Sequence, residues 1–227
     1  MWSLAVEEQF YLVWPLVVLH LKNKLIPLCI TLVVLMSFVR VIFLVNGMQP
    51  TAIYTMTLTH LDALLIGSAI AVGMKENRLR TKHIGIFLWL FSAAIAVVAS
   101  ILFVNGNFIF YTAEVAYIGL LAVAIISGYI LLKAVTASEH SLLIRFFSMP
   151  LLSRFGKLCY GLYLLHHPTG VLMTEKILPQ DSFIVFNSYL PCVILNIAIT
   201  TALCYFIALL SFKLFETPFL NLKKHFI

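Results

Sequence analysis

The sequence predicts an all-α fold, a polytopic transmembrane helical bundle of about seven spanning helices with its N-terminus outside and its C-terminus in the cytoplasm. Three observations predict it. Of the 227 residues, 62% are hydrophobic and 11% charged, and the mean hydropathy is +1.04, far above that of a soluble globular domain. The apolar residues come in runs of about 20, the length that crosses a hydrocarbon core. The basic residues gather in alternate connections between those runs.

Taken in order, the first run extends from Ser3 to Leu21 and is closed by Lys22-Asn23-Lys24. The second, Leu25 to Val45, is closed by Asn46-Gly47-Met48-Gln49-Pro50, and the third, Thr57 to Met74, by the densest basic stretch, Lys75 to Lys82. The fourth covers Ile84 to Val104 and ends at Asn105-Gly106-Asn107; the fifth covers Tyr111 to Leu132. Between Lys133 and Arg154, the segment Ser141 to Leu152 is amphipathic enough to lie along the membrane interface, with a plain loop as the equal alternative. The sixth run is Gly156 to Thr174 and the seventh Tyr189 to Phe212. Thr217 precedes Pro218 and is biased away from helix, so the last span is expected to stop there, with Glu216 pairing to a cytoplasmic base.

The net charge of +6 does not mark a nucleic-acid partner, because the bases form short clusters between apolar runs rather than one basic face. They set topology instead. Alternate connections hold Lys22 and Lys24, then Lys75, Arg78, Arg80 and Lys82, then Lys133, Arg145, Arg154 and Lys157, and finally Lys213, Lys223 and Lys224, whereas the intervening ones hold only Lys176. The positive-inside rule places the basic connections in the cytoplasm. No cleavable signal peptide is expected, since no basic region precedes the first run. Cys29, Cys159, Cys192 and Cys204 stand singly in apolar runs, without the paired spacing of a zinc site or disulfide framework, and read as small buried hydrophobes.

With that orientation, the ionisable residues inside the runs share the outer half of the membrane: Glu7 and Glu8, Arg40, His60, Asp62, Glu114, and His166 with His167 near mid-depth. A polar cavity open to the outer face would collect them, whereas unrelated core residues would scatter. Consecutive helix positions diverge by about 100°, so Glu7 and Glu8 divide roles. Ser3, Glu7 and Tyr11 share one row, and Glu8 lies with Leu12 and Pro15, a kink position. Arg40, among Val, Leu, Ile and Phe, requires a carboxylate, for which Glu7, Glu8 and Asp62 are the candidates. His60 and Asp62 lie two apart and do not share a face, and Asp62 suits a helix N-terminus. Tyr163 shares a face with His167 and follows a three-residue spacing with His166. The adjacent histidines diverge and lack a third ligand, so no metal is expected.

Four segments, in this order, resemble the motifs of the acyltransferase-3 family of membrane-bound O-acyltransferases. Trp2-Ser3-Leu4-Ala5-Val6-Glu7-Glu8-Gln9-Phe10-Tyr11 with Trp14-Pro15 resembles W-S-L-x-x-E-E-Q-F-Y-x-x-W-P, and His60 to Gly67 resembles R-x-D-x-L-x-x-G. Gly156 to Pro168 resembles G-x-x-S-Y-x-L-Y-L-x-H-x-P, and Glu216-Thr217-Pro218-Phe219 resembles E-x-P-F. The departures are His60 in place of arginine and Cys159 in place of serine. The resemblance implies one transmembrane acyltransferase domain, here its C-terminal portion over residues 1–227. It also implies transfer of an acyl group, acetyl by expectation, from acyl-CoA on the cytoplasmic side to a hydroxyl of an exported cell-envelope glycan. The membrane is then expected to be a bacterial inner membrane, and acyl-CoA a co-substrate rather than a bound cofactor. In the family pattern several helices precede the W-S-L motif and carry the histidine credited as general base. Those helices are therefore an expected partner, and the chain alone is expected to be inactive.

The expected catalytic residues are Glu7, Glu8 and His166. The expected substrate-binding residues are Ser3, Tyr11, Arg40, His60, Asp62, Tyr163 and His167. Two other classes stay open: a transporter or glycan-export component using the same outer-half charges, and a remnant or partner subunit without chemistry.

Overall fold

A computed structural model describes residues 2–21, 24–76, 81–109, 112–138, 140–179 and 189–223. The topology-setting Lys22, Arg78, Arg80 and Lys224, and Tyr111 at the start of the fifth run, lie outside the described residues. Among the described residues every regular element is helical. The chain divides into two compact units, Met1–Leu143 and Ile144–Ile227.

The first unit contains α1 (Trp2–His20), α2 (Leu25–Val45), α3 (Pro50–Thr55), α4 (Asp62–Lys75), α5 (Thr81–Asn105) and α6 (Leu120–Thr136), the last preceded by a π-helical turn, Val115–Gly119. The second contains α7 (Leu142–Phe147, straddling the boundary), α8 (Pro150–Lys157), α9 (Cys159–Leu172), α10 (Leu190–Ser211) and α11 (Thr217–Lys223). Helices long and apolar enough to cross a membrane occupy Leu25–Val45, Gly85–Asn105, Val115–Thr136 and Leu190–Phe219, four among the described residues, matching the second, fourth, fifth and seventh runs. Their ends follow the turn residues. Gly47 and Gly106 take φ of +80° and +68°, the left-handed conformation that closes α2 and α5 at little steric cost.

The other three runs are interrupted. α1 carries two glutamates and has Pro15 inside it. The third run is α-helical only from Asp62: a 3₁₀ turn, Thr57–Thr59, occupies its start, after α3 has ended at Thr55, and α4 has 14 residues, about 21 Å of rise. α9 also has 14 residues and passes into a π-helical turn, Met173–Ile177. The expected stop at Thr217 does not occur. A π-helical turn, Phe212–Glu216, widens the backbone ahead of Pro218 and lets the helix run on into α11, with the Thr217 hydroxyl donating to the Phe212 carbonyl at 2.9 Å. The amphipathic segment before the sixth run forms the short helices α7 and α8 rather than a loop. Cys29, Cys192 and Cys204 are buried as expected, whereas Cys159, at the first turn of α9, is exposed.

In the first unit α4 lies between α2 and α6, and α5 packs on α6. α1 docks through one stripe: Val6 and Phe10 are buried, Phe10 stacks on Trp14 with centroids 4.8 Å apart, and Phe10 joins Cys29, Met36 and Leu65 in one apolar cluster. α4 and α6 approach most closely at Gly128, where an added Cβ would stand 2.5 Å from Cγ2 of Ile66. That methyl is branched at Cβ and cannot swing away, so Gly128→Ala is expected to destabilise the fold by about 1–3 kcal/mol. Gly170→Ala, with open space at its Cβ, is expected to be neutral or slightly stabilising. Denaturation midpoints in mixed micelles compare the two.

In the second unit α9 packs along α10, closely at Gly161, where an added Cβ would stand 3.1 Å from Cβ of Ala208. Asn196 is buried but satisfied: its Nδ2 donates to the Leu178 carbonyl at 2.9 Å, and Thr200 donates to its Oδ1 at 3.2 Å. These bonds pin the end of the α9 extension to α10, because a buried amide left unpaired would oppose folding.

Candidate functional site

The residues expected to form a site fall into two sets, one in each unit. In the first unit the densest polar cluster surrounds Arg40, which is fully buried in the C-terminal third of α2. Its Nε donates to the Thr59 carbonyl at 2.8 Å, and its Nη2 donates to that carbonyl and to Oδ1 of Asp62. Of the three candidate carboxylates, the partner is therefore Asp62, with Glu7 and Glu8 left out of the pair. Asp62 is buried and opens α4, so its carboxylate sits at the N-terminal end of that helix as well as against the guanidinium. Arg40 Nη1 and Asp62 Oδ2 remain buried without a hydrogen-bond partner among the described residues.

Thr59 completes the cluster. It is fully buried, its hydroxyl donates to the carbonyl of Ile53 and, at 3.0 Å, to that of Met56, and its carbonyl receives Arg40. His60 follows it, half-buried, with its ring edge-on to Tyr54 at a centroid distance of 5.2 Å. One turn earlier the Thr57 hydroxyl donates to Gln9 Oε1 at 2.8 Å, which ties α1 to the same connection. Thr57, Thr59 and Gln9 were not among the expected site residues. Their contribution is a backbone carbonyl or a single amide, which leaves no charge or spacing signal in a sequence.

The acidic turn of α1 faces the other way. With Val6, Phe10 and Trp14 forming the packed stripe, Glu7 and Glu8 are exposed, and among the described residues no ion pair reaches either carboxylate. Ser3 is half-buried and Tyr11 is 61% exposed, so the row Ser3, Glu7, Tyr11 runs along the open side of the helix. This face of α1 thus presents two carboxylates amid exposed apolar side chains. An uncovered acid on an apolar helix face needs a polar partner or a job.

In the second unit, Tyr163, His166 and His167 are exposed in the middle of α9, and the ring of His166 lies 5.3 Å from that of Tyr163 and 6.4 Å from that of His167. Nδ1 of His166 is hydrogen-bonded to the Tyr163 carbonyl. A carbonyl can only accept, so Nδ1 is the donor in this contact, which in a neutral imidazole leaves Nε2 as the acceptor. Such an imidazole can accept a hydrogen bond from a hydroxyl. The open groove of about 470 Å³ between α8 and α10, lined by Leu151, Phe155, Ala198, Thr201, Ala202, Tyr205 and Phe206, contains none of the expected site residues.

Comparison with known proteins bears on what these groups do. A family model described as an acyltransferase domain matches residues 1–211. The chain is similar to the peptidoglycan O-acetyltransferase OatA of Listeria monocytogenes, 32% identical over 240 residues that cover 96% of this chain and 34% of that protein. It is 29% identical over 235 residues to the O-acetyltransferase OatA of Staphylococcus aureus, covering 96% of this chain and 35% of that protein. It is 31% identical over 190 residues to the putative peptidoglycan O-acetyltransferase YrhL of Bacillus subtilis, covering 77% of this chain and 28% of that protein. The chain thus spans about a third of the length of these curated relatives. No solved structure matches.

Proposed function

We propose the function of this chain from the family to which it belongs, the acyltransferase domain family that matches residues 1–211. It acts in the membrane as an O-acyltransferase, or as the transmembrane part of one. It moves an acyl group, acetyl by expectation, from acyl-CoA on the cytoplasmic side to a hydroxyl of a cell-wall glycan outside. Peptidoglycan is the favoured glycan, because the similar Listeria protein is named for acetylating it. The bacterial plasma membrane follows from the same relatives. The observation that carries the proposal is the family match across nearly the whole chain.

The chemistry asks for three things. The acceptor hydroxyl must lose its proton as its oxygen attacks the thioester carbonyl, the tetrahedral adduct must expel the CoA thiolate, and the reacting groups must be held out of bulk water. Nε2 of His166 accepts a hydrogen bond from the acceptor hydroxyl and orients its oxygen. The exposed carboxylates of Glu7 and Glu8 orient the proton transfer and stabilise positive charge on the base that receives it. The family resemblance puts that base on a helix that precedes the acidic motif. In this proposal α1, the broken α3–α4 segment and α9 with its π-helical extension also cross the membrane, for seven spans, with the acidic turn toward the outer face.

Inverted membrane vesicles loaded with peptidoglycan fragments and supplied with labelled acetyl-CoA test the proposal. The 227-residue chain expressed with the part of the Listeria relative that precedes the matched region is expected to label the glycan, and the chain alone is not. Glycan accumulation in the vesicles with no thioester consumed would contradict transfer in favour of transport, and labelling by the chain alone would contradict the need for the other helices.

A further inference from the structure

Between α3 and α4, at the start of the third apolar run, the helix is broken over Met56–Leu61, and in a membrane such a break leaves backbone carbonyls that lipid cannot satisfy. Here they are satisfied from within. The Thr59 hydroxyl takes the carbonyls of Ile53 and Met56, and the buried Arg40 reaches across from α2 to take the carbonyl of Thr59 while holding Asp62 at the start of α4. Arg40 therefore grips both sides of the single residue pair between them, His60-Leu61. A guanidinium is suited to this because its planar fork binds two acceptors in fixed directions, which an ammonium cannot. The outcome is an irregular turn held on both sides by one guanidinium, and the residue that follows Thr59 in it is the half-buried His60.

We propose that this break is a presentation turn for His60, and that Arg40 and Thr59 are its positioning residues. They hold the imidazole against Tyr54, and the Gln9–Thr57 bond registers the acidic turn of α1 on the same connection. Simple ion-pair stabilisation of α2 against α4 would need Asp62 alone; the two bonds into the Thr59 carbonyl serve the turn. The inference rests on the acyl-transfer proposal only in taking the acceptor as what His60 faces.

Residue-resolved acylation of the histidines with diethyl pyrocarbonate, followed by mass spectrometry on the chain in nanodiscs, tests it without using transfer activity. In Arg40→Lys and Thr59→Val, His60 labelling is expected to rise on the order of tenfold relative to His166, with Thr59→Ser, which keeps the hydroxyl, restoring the slow rate. In the transfer assay the same two variants should raise KM for the acceptor and leave KM for the donor unchanged. An unchanged His60 rate in both variants overturns the proposal. So does an equal rise at His20, His60 and His166 in both, which would mark general loosening. Because labelling needs no catalysis, an absence of transfer would sink the proposed function and leave this test standing.

Discussion

Asp62→Ala is expected to destabilise the first unit by about 3–5 kcal/mol, the loss typical when one partner of a buried ion pair is removed and the other charge is stranded. Arg40 has no exposed surface through which to hydrate, and its Nη1 already lacks a partner among the described residues. The double variant Arg40→Leu with Asp62→Leu is expected to lose less than Asp62→Ala alone. It strands no charge, and its main deficit is the Thr59 carbonyl left without its donors, about 1–3 kcal/mol. Midpoints of SDS-induced unfolding in mixed micelles measure both. A single variant within about 1 kcal/mol of the parent, or a double variant worse than the single, would show that the pair does not carry this part of the fold.

Glu8→Gln is expected to lower acyl transfer by at least about a hundredfold with little change in stability. The substitution keeps the shape of the side chain and removes only its charge, and Glu8 is exposed on the side of α1 opposite the packed stripe of Val6, Phe10 and Trp14, so no ion pair among the described residues is lost. Glu7→Gln should differ in magnitude, because the two carboxylates point about 100° apart on the helix and cannot serve one atom equally. Initial rates in the vesicle assay, with unfolding midpoints as the control, separate a catalytic loss from a folding one. A Glu8→Gln variant as active as the parent would remove the acidic turn from the chemistry.

Much of the fold was legible because a membrane simplifies the code. Runs of apolar residues closed by Asn46-Gly47 and Asn105-Gly106 gave α2 and the end of α5 nearly to the residue, since length and a left-handed turn are both local properties, while α5 begins three residues before its run, at Thr81. The break at Met56–Leu61 was not legible. Hydropathy summed over Thr57 to Met74 does not register whether the backbone is helical, and the groups that tolerate the break, Arg40 and Thr59, come from elsewhere in the chain or from a side chain that looks ordinary. Pro218 misled for a related reason: its local bias against helix was offset by one widened turn and a threonine hydroxyl.

The site divided the same way. That Arg40 needs a carboxylate followed from its surroundings alone; which of Glu7, Glu8 and Asp62 would supply it was a question of tertiary distance, and the answer frees the acidic turn for another partner. The tautomer of His166 likewise depends on a carbonyl three residues back that every helix has, and only the ring's orientation shows that it is used.

The most direct test is muropeptide mass spectrometry on a bacterial host that lacks peptidoglycan O-acetylation and expresses this chain with the part of its Listeria relative that precedes the matched region. Acetyl esters on the glycan, removed by mild base and absent from cells carrying Glu8→Gln, are the expected result. Unmodified muropeptides from a chain that is folded and present in the membrane would contradict it.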